Sequence, residues 1–378
     1  MANERITENL VRDKLRELGY YDKINNIHVE EQKSAIESIR RALVAASKSG
    51  GGGSGTPEFI ITNPDPDQSD FVLLIECKAD VKNHASPATS VMIAPQTGET
   101  PEDRAKRVTR FAVDGALHYA QHLSKEHNVI AIAVSGQTLS ELQISTYLHT
   151  RGSTLAKPLM TKGGTFITSI IPWSDYIDHA VYDPAVQQVR LTDLMAFSRE
   201  LHDFMRDDVK ASENEKPLFV SGSLIALRNA AFAKTFGDYS VKELPDEWLR
   251  VIKSELRKAD IPNSKKETIA LPYSNIASHP EIAKRHKKYP KGVLHELIRR
   301  LNEKVWPFIS VYHDFDVVGQ FYGEFLKYTG GDKKALGIVL TPRHITELCA
   351  LLANVAAKEA RRSASTSISS VMRWLTVS

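Results

Sequence analysis

Apolar positions along the chain recur first with helical period, then in unbroken runs, then again with helical period. Residues 5–18 (RITENLVRDKLREL) place Ile6, Leu10, Leu15 and Leu18 near one helical face, and Gly19 supplies a stop. Residues 31–47 predict a second helix with Ile36, Ile39, Leu43 and Val44 on its buried side, ended by a glycine run. The stretches PEFIIT and DFVLLIECKAD are mainly apolar and flank the turn-rich NPDPDQSD, which predicts strand, turn and strand. Residues 84–101 are polar and proline-containing, and predict a long loop. Helical spacing returns over 102–126 through Val108, Phe111, Gly115, Tyr119 and His122. Residues 128–136 (NVIAIAVSG) and 142–149 (LQISTYLH) predict two further strands. The order α, α, β, β, α, β, β describes a mixed sheet flanked by helices, an α/β domain over residues 1–180.

From about 185 the pattern is amphipathic and helical, through LTDLMAFSRELHDFMRDD, GSLIALRNAAFAKTF, DEWLRVIKSELRKA and LHELIRRLNEKVWPFISVY. This predicts a mostly helical domain over 185–325. The remaining segment, 326–378, begins helical and ends in a serine-rich stretch with a short apolar cap.

A length of 378 residues suits this division into more than one domain. The opening MANERITENL is charged and polar, unlike a secretory signal, and no apolar run reaches the roughly 18–20 residues a membrane helix needs. Cys77 and Cys349 are isolated, which gives neither a disulfide framework nor a zinc site and fits a reducing, cytoplasmic setting. Net charge is only +3, but RAKRVTR (104–110) and KRHKKYPK (284–291) are locally basic enough to neutralise phosphates. A solvated helix face or loop is the plainer reading of both. His118 and His122 stand at i, i+4, a metal-ligand spacing, yet no acid or cysteine accompanies them, so a packed helix is expected. No Gly-x4-Gly-Lys-Ser/Thr loop is present to suggest an ATP-driven motor.

The chemistry concentrates in LLIECKAD. Alternate strand residues share a face, so Glu76 and Lys78 point one way and Cys77 the other. Two charges at successive same-face positions, directly after the apolar run Phe71–Ile75, are unusual for a purely structural strand. If the two strands pair as a hairpin, Glu58 rises toward the level of Glu76. Two carboxylates, with a backbone carbonyl such as that of Cys77, suit Mg²⁺, which takes oxygen ligands and keeps several waters. A lysine beside them suits positioning of an attacking water and stabilisation of developing phosphoryl charge. Phosphodiester hydrolysis uses all three groups. A literal Pro-Asp, Pro64-Asp65, also precedes Glu76, but it lies among turn residues, whereas an apolar strand follows Glu58.

With these residues in place, GTPEFII…DFVLLIECKAD resembles the PD-(D/E)xK nuclease motif, with Glu58 as the first acid, Glu76 as the second and Lys78 as the lysine. The resemblance implies a Mg²⁺-dependent DNA endonuclease, with Mn²⁺ as a substitute metal, Glu58 and Glu76 as metal ligands and double-stranded DNA as substrate. Pro-Glu replaces the Pro-Asp of the motif's name but keeps the carboxylate. Glu8 is a candidate for the extra acid that some members carry on the first helix, against the plainer reading of a solvent-facing glutamate. The glycine run (Gly50–Gly53, Gly55) is open to three readings: a plain loop, an engineered-type linker, or backbone that approaches DNA.

The segment 316–355 (DVVGQFYGEF…ELCALLANV) resembles the entry to the catalytic domain of N6-adenine DNA methyltransferases, around Leu340, Thr341 and Pro342. Together the two resemblances point to single-chain restriction–modification enzymes, in which a nuclease precedes a methyltransferase. The glycine-rich cofactor loop and the Asn/Asp-Pro-Pro-Tyr/Phe tetrapeptide of that family do not follow, which reads as a truncated form. Methylation is not expected, and S-adenosylmethionine binding is doubtful. The rival reading is a non-catalytic DNA-binding or assembly remnant, which would need a separate methyltransferase or specificity subunit as partner.

Overall fold

The structure is a computed structural model and describes residues 3–47, 53–87, 99–259, 262–311 and Phe321. The methyltransferase-like segment, apart from Phe321, lies outside the described residues, as do Cys349 and the serine-rich tail. The chain divides into two compact units, Met1–Arg190 and Leu191–Ser378.

The first unit is built on one sheet. Its strands are β1 (His28–Glu30), β2 (Phe59–Thr62), β3 (Phe71–Lys78), β4 (Asn128–Ser135), β5 (Gln143–His149) and β6 (Lys157–Pro158). They lie side by side in chain order. Only β3 and β4 run parallel, and every other neighbouring pair is antiparallel, so the sheet is mixed. Strands β3 and β4 are buried along their whole length, which is why both read as continuous apolar runs rather than as alternation. The parallel pairing needs a crossover, and helices α3 (Pro101–Arg110) and α4 (Ala112–Leu123) supply it.

One face of the sheet packs on α2 (Glu37–Ala45) and α4. Val72 and Leu74 of β3, with Ala131 and Ala133 of β4, meet Leu43 and Ala116 there. Alanines on both sides let α4 lie close to the strands. Helix α1 (Glu4–Glu17) buries Val11 and Leu15 and is tied down by Thr7, whose hydroxyl donates to the Gly136 carbonyl at 2.7 Å. Gly136 ends β4 at φ +116°, a conformation open to glycine, and its N–H donates to the Lys78 carbonyl at 3.1 Å. Helix α1 is thereby fixed at the end of β3 that carries the charges.

Several elements depart from the sequence expectation for local reasons. The second helix starts at Glu37, not near 31, because the Glu30 carboxylate takes the Ser34 hydroxyl at 2.5 Å and the Ala35 N–H at 2.7 Å. That polar turn follows the short edge strand β1, for which the sequence carries no signal. The helix expected over 102–126 is two helices, because Phe111 is extended (φ −106°, ψ 135°) and forms the N-cap of α4. Helix α5 (Trp173–Val181) adds a helix late in this unit, between the last strand and the helical unit.

Helix α6 (Pro184–Asp207) carries the division point. Beyond it, the second unit consists of α7 (Lys216–Leu227), α8 (Ala230–Thr235), α9 (Leu244–Lys258), α10 (Asn263–Ala277), α11 (Val293–Lys304) and α12 (Trp306–Val311). No strand occurs among its described residues. Trp248 and Tyr273 are fully buried at its centre and pack edge to face at 6.2 Å. No helix among the described residues is long and apolar enough to cross a membrane.

Candidate functional site

The hairpin places the expected residues at one end of the sheet. Phe59 pairs with Ile75, so one further step of the antiparallel register sets Glu58 opposite Glu76. The Glu58 carboxylate accepts the Cys77 N–H at 2.9 Å. Glu76 and Lys78 are 1% and 8% exposed, far below what surface charges show. The Lys78 ammonium lies 3.3 Å from Glu76 Oε1 and 3.2 Å from Glu4 Oε1. Cys77 points to the opposite face and is buried as a free thiol.

Electrostatics follow from that crowding. Burial, and then the charge of Glu76, push the Glu58 carboxyl well above its ordinary range. Burial alone would lower the Lys78 ammonium, but Glu76, Glu58 and Glu4 outweigh it and hold the group charged. Burial, with the nearby carboxylates Glu58 and Glu76, raises the Cys77 thiol, which leaves it inert. The arrangement therefore holds two carboxylates in one place at an electrostatic cost, offset in part by one lysine.

Asp65 is not brought to this site. It sits in the β2–β3 turn, where it accepts the Asn26 amide at 2.8 Å. Phe71 and Glu76 are five steps apart along β3, about 17 Å at the usual rise per residue. Glu8 is half-buried on α1, but the α1 acid that reaches Lys78 is Glu4. Glu4 gives no signal in the sequence, since an acid in the first turn of a helix is ordinary dipole compensation. His84 is also silent there, hidden in a segment that reads as loop. Its ring joins Ser135 Oγ at 2.8 Å and Ser145 Oγ at 2.9 Å, and Ser135 is the β4 partner of Lys78.

Among the described residues, no group of three or more His, Cys, Asp or Glu side chains is arranged to hold a metal. The Glu58–Glu76 pair instead fits a hard cation that binds through one or two carboxylates and keeps its waters, as Mg²⁺ does. Burial first and then the like charge of Glu76 raise the Glu58 carboxyl, and a cation would offset the second of these. His118 and His122 do not form a metal pair: His118 Nε2 meets the Ala46 carbonyl at 3.1 Å, and the two rings pack edge to face at 5.0 Å.

The basic stretches have different fates. In 104–110, Arg107 is committed to Glu99, at 2.7 and 3.0 Å, and to Asp114. In 284–291, Tyr289 is buried and donates to Asp208 at 3.1 Å, while Arg285 and Lys287 stay exposed.

Known proteins add one finding. The chain is 29% identical over 368 residues to RM.BcgI of Heyndrickxia coagulans, a type II restriction enzyme and methyltransferase. This chain is similar to a restriction–modification enzyme. The match covers 94% of this chain and 54% of the relative, so the chain spans about half the length of the protein it matches. The similarity runs through both units. No family model and no solved structure matches the chain.

Proposed function

We propose that the first unit is the DNA-cleaving part of a restriction–modification enzyme, a PD-(D/E)xK-like nuclease that hydrolyses phosphodiester bonds with Mg²⁺. The observation that carries this is the meeting of Glu58, Glu76 and Lys78 at one end of the β2–β3 hairpin, with Glu76 and Lys78 buried and 3.3 Å apart. Glu58 and Glu76 would hold the cation, and Mn²⁺ would substitute. When bound, the metal supplies a water of lowered pKa and shields the charge of the phosphodiester.

The chain's own groups do the rest. Glu76 is 1% exposed and lies 3.3 Å from the Lys78 ammonium, so its carboxylate is pre-positioned. Glu58 is held from the facing strand by the Cys77 N–H. Lys78 stays charged beside them, orients the attacking water and stabilises the negative charge that grows on the phosphate oxygens. Glu4 steadies the lysine from α1. The similarity to RM.BcgI supports DNA as the substrate class.

Incubating the full chain with linear duplex DNA, with Mg²⁺ or with EDTA, tests the reading. Metal-dependent fragments support a nuclease. A gel shift of equal strength in both conditions, without fragments, moves the assignment to a DNA-binding or assembly remnant that serves a separate methyltransferase or specificity subunit.

A further inference from the structure

The glycine run ends in a contact that bears on Glu58. Helix α2 finishes at Ala45, and the chain returns to the same helix end at Gly55, whose N–H donates to the Leu43 carbonyl at 2.8 Å. That carbonyl also accepts the Ala46 N–H at 3.1 Å, so Gly55 adds a second bond at the C-terminus of the helix. Gly55 is buried, and no side chain fits there. A Cβ would stand 2.5 Å from Tyr119 Cε1, 2.9 Å from the Ala46 carbonyl oxygen and 3.2 Å from that of Leu43. Two of those neighbours are backbone, and Tyr119 is 2% exposed within the α2–α4 core, so none of the three can step aside.

The next residues continue the hold. The Thr56 N–H donates to the Tyr119 hydroxyl at 3.1 Å. The Pro57 carbonyl accepts the Gln32 N–H at 3.1 Å. Glu58 then reaches across to the Cys77 N–H, and β2 begins at Phe59. Three successive residues are thus pinned by two helices, α2 and α4, and by the loop after β1, immediately before the first carboxylate. Tyr119 is the only one of these partners that uses a side chain, and burial followed by the charge of Glu76 raises its phenol, so it remains protonated.

We propose that Gly55 and Tyr119 form a latch that positions Glu58 for metal binding and isolates it from the glycine run upstream. Tyr119 is a positioning residue here. Its ring closes the space at Gly55, and its hydroxyl fixes the backbone two residues before Glu58. This rests on the reading of Glu58 and Glu76 as metal ligands. It also gives the glycine run a meaning different from a passive linker, because its last residue is held where only glycine fits.

The test compares Tyr119→Phe and Gly55→Ala with Tyr176→Phe in the full chain. Tyr176 is a buried tyrosine of α5 in the same unit, whose hydroxyl donates to the Ser169 carbonyl at 3.0 Å, so it controls for loss of one buried hydrogen bond. Two quantities are read: Mn²⁺ affinity by calorimetry, with Glu76→Ala marking the site, and amide exchange of residues 55–60. The latch predicts that Tyr119→Phe weakens Mn²⁺ binding about fivefold, the scale of one net hydrogen bond. It also predicts faster exchange over 55–60, with Tyr176→Phe at wild-type values for both. Gly55→Ala should show a larger loss of the same kind. Unchanged Mn²⁺ affinity and exchange in Tyr119→Phe overturn the latch. If the wild type binds no Mn²⁺, or Glu76→Ala binds it equally well, the metal reading fails. The latch then fails as a metal device even where exchange still responds to Tyr119→Phe.

Discussion

Removing Lys78 should harm the fold more than removing the carboxylate it faces. In Lys78→Met the ammonium that lies 3.3 Å from Glu76 and 3.2 Å from Glu4 is gone. Glu76 is 1% exposed and cannot turn to water, and Glu58 already carries a raised carboxyl from burial and from Glu76. Breaking a buried pair by deleting one partner costs about 3–5 kcal/mol. The carboxyl pair can limit that loss by taking up a proton, which places the expected value near the lower end. Glu76→Gln acts with the opposite balance: it removes one of two like charges and leaves Lys78 with Glu4. Its expected cost is smaller than that of Lys78→Met, because Lys78 keeps Glu4 and Glu58 loses a like-charged neighbour. The double variant should recover most of the Lys78→Met loss, a coupling that a double-mutant cycle measures directly. Amide exchange of β3 and β4 in urea, on the full chain without metal, reports the first unit's stability. Equal losses for the two single variants, or a Lys78→Met cost below about 1 kcal/mol, would refute the buried-pair reasoning.

Three further outcomes follow from the geometry. Burial lowers the His84 imidazole from its usual 6.5 while both ring nitrogens engage serine hydroxyls. A depressed folded-state value contributes stability above the unfolded pKa that declines as pH falls, so stability should drop on acidification through 6.5 and below, and His84→Gln should flatten that slope in urea unfolding against pH. Arg285→Gln with Lys287→Gln should lower the salt dependence of DNA binding by up to about 0.9 in slope for each phosphate no longer neutralised; a slope that stays unchanged assigns the basic loop to solvent. Gly222→Ala should destabilise the helical unit, because a Cβ there would sit 2.5 Å from the buried Trp248 ring, and thermal melts followed by tryptophan emission would show it.

Most of the sheet is legible in the sequence because its central strands are buried on both faces. An unbroken run such as FVLLIECK admits few other readings, and the turn NPDPDQSD fixes the hairpin that sets Glu58 against Glu76. The preference for Glu58 over Asp65 rests on which acid precedes a strand, and the register places only Glu58 level with Glu76. Edge strands β1 and β6 are hidden because three and two residues are too few to show a period. The break at Phe111 is hidden because helical spacing continues through it, and only the backbone angles reveal the cap. Helix α10 contains Pro272, which argues against a helix there. Glu4, Thr7 and His84 reach the charged end of β3 or its neighbours through contacts distant in sequence, and nothing in their local surroundings announces them.

The most direct test of the central claim is cleavage of supercoiled plasmid by the full chain, with Mg²⁺, Mn²⁺ or EDTA, beside Glu58→Ala, Glu76→Ala, Lys78→Ala and Asp65→Ala. The account predicts metal-dependent cleavage that falls at least about a hundredfold, the scale of a missing catalytic group, in the Glu58, Glu76 and Lys78 variants and persists in Asp65→Ala. Cleavage that survives Glu76→Ala, or that disappears in Asp65→Ala while Glu58→Ala retains it, would contradict the site.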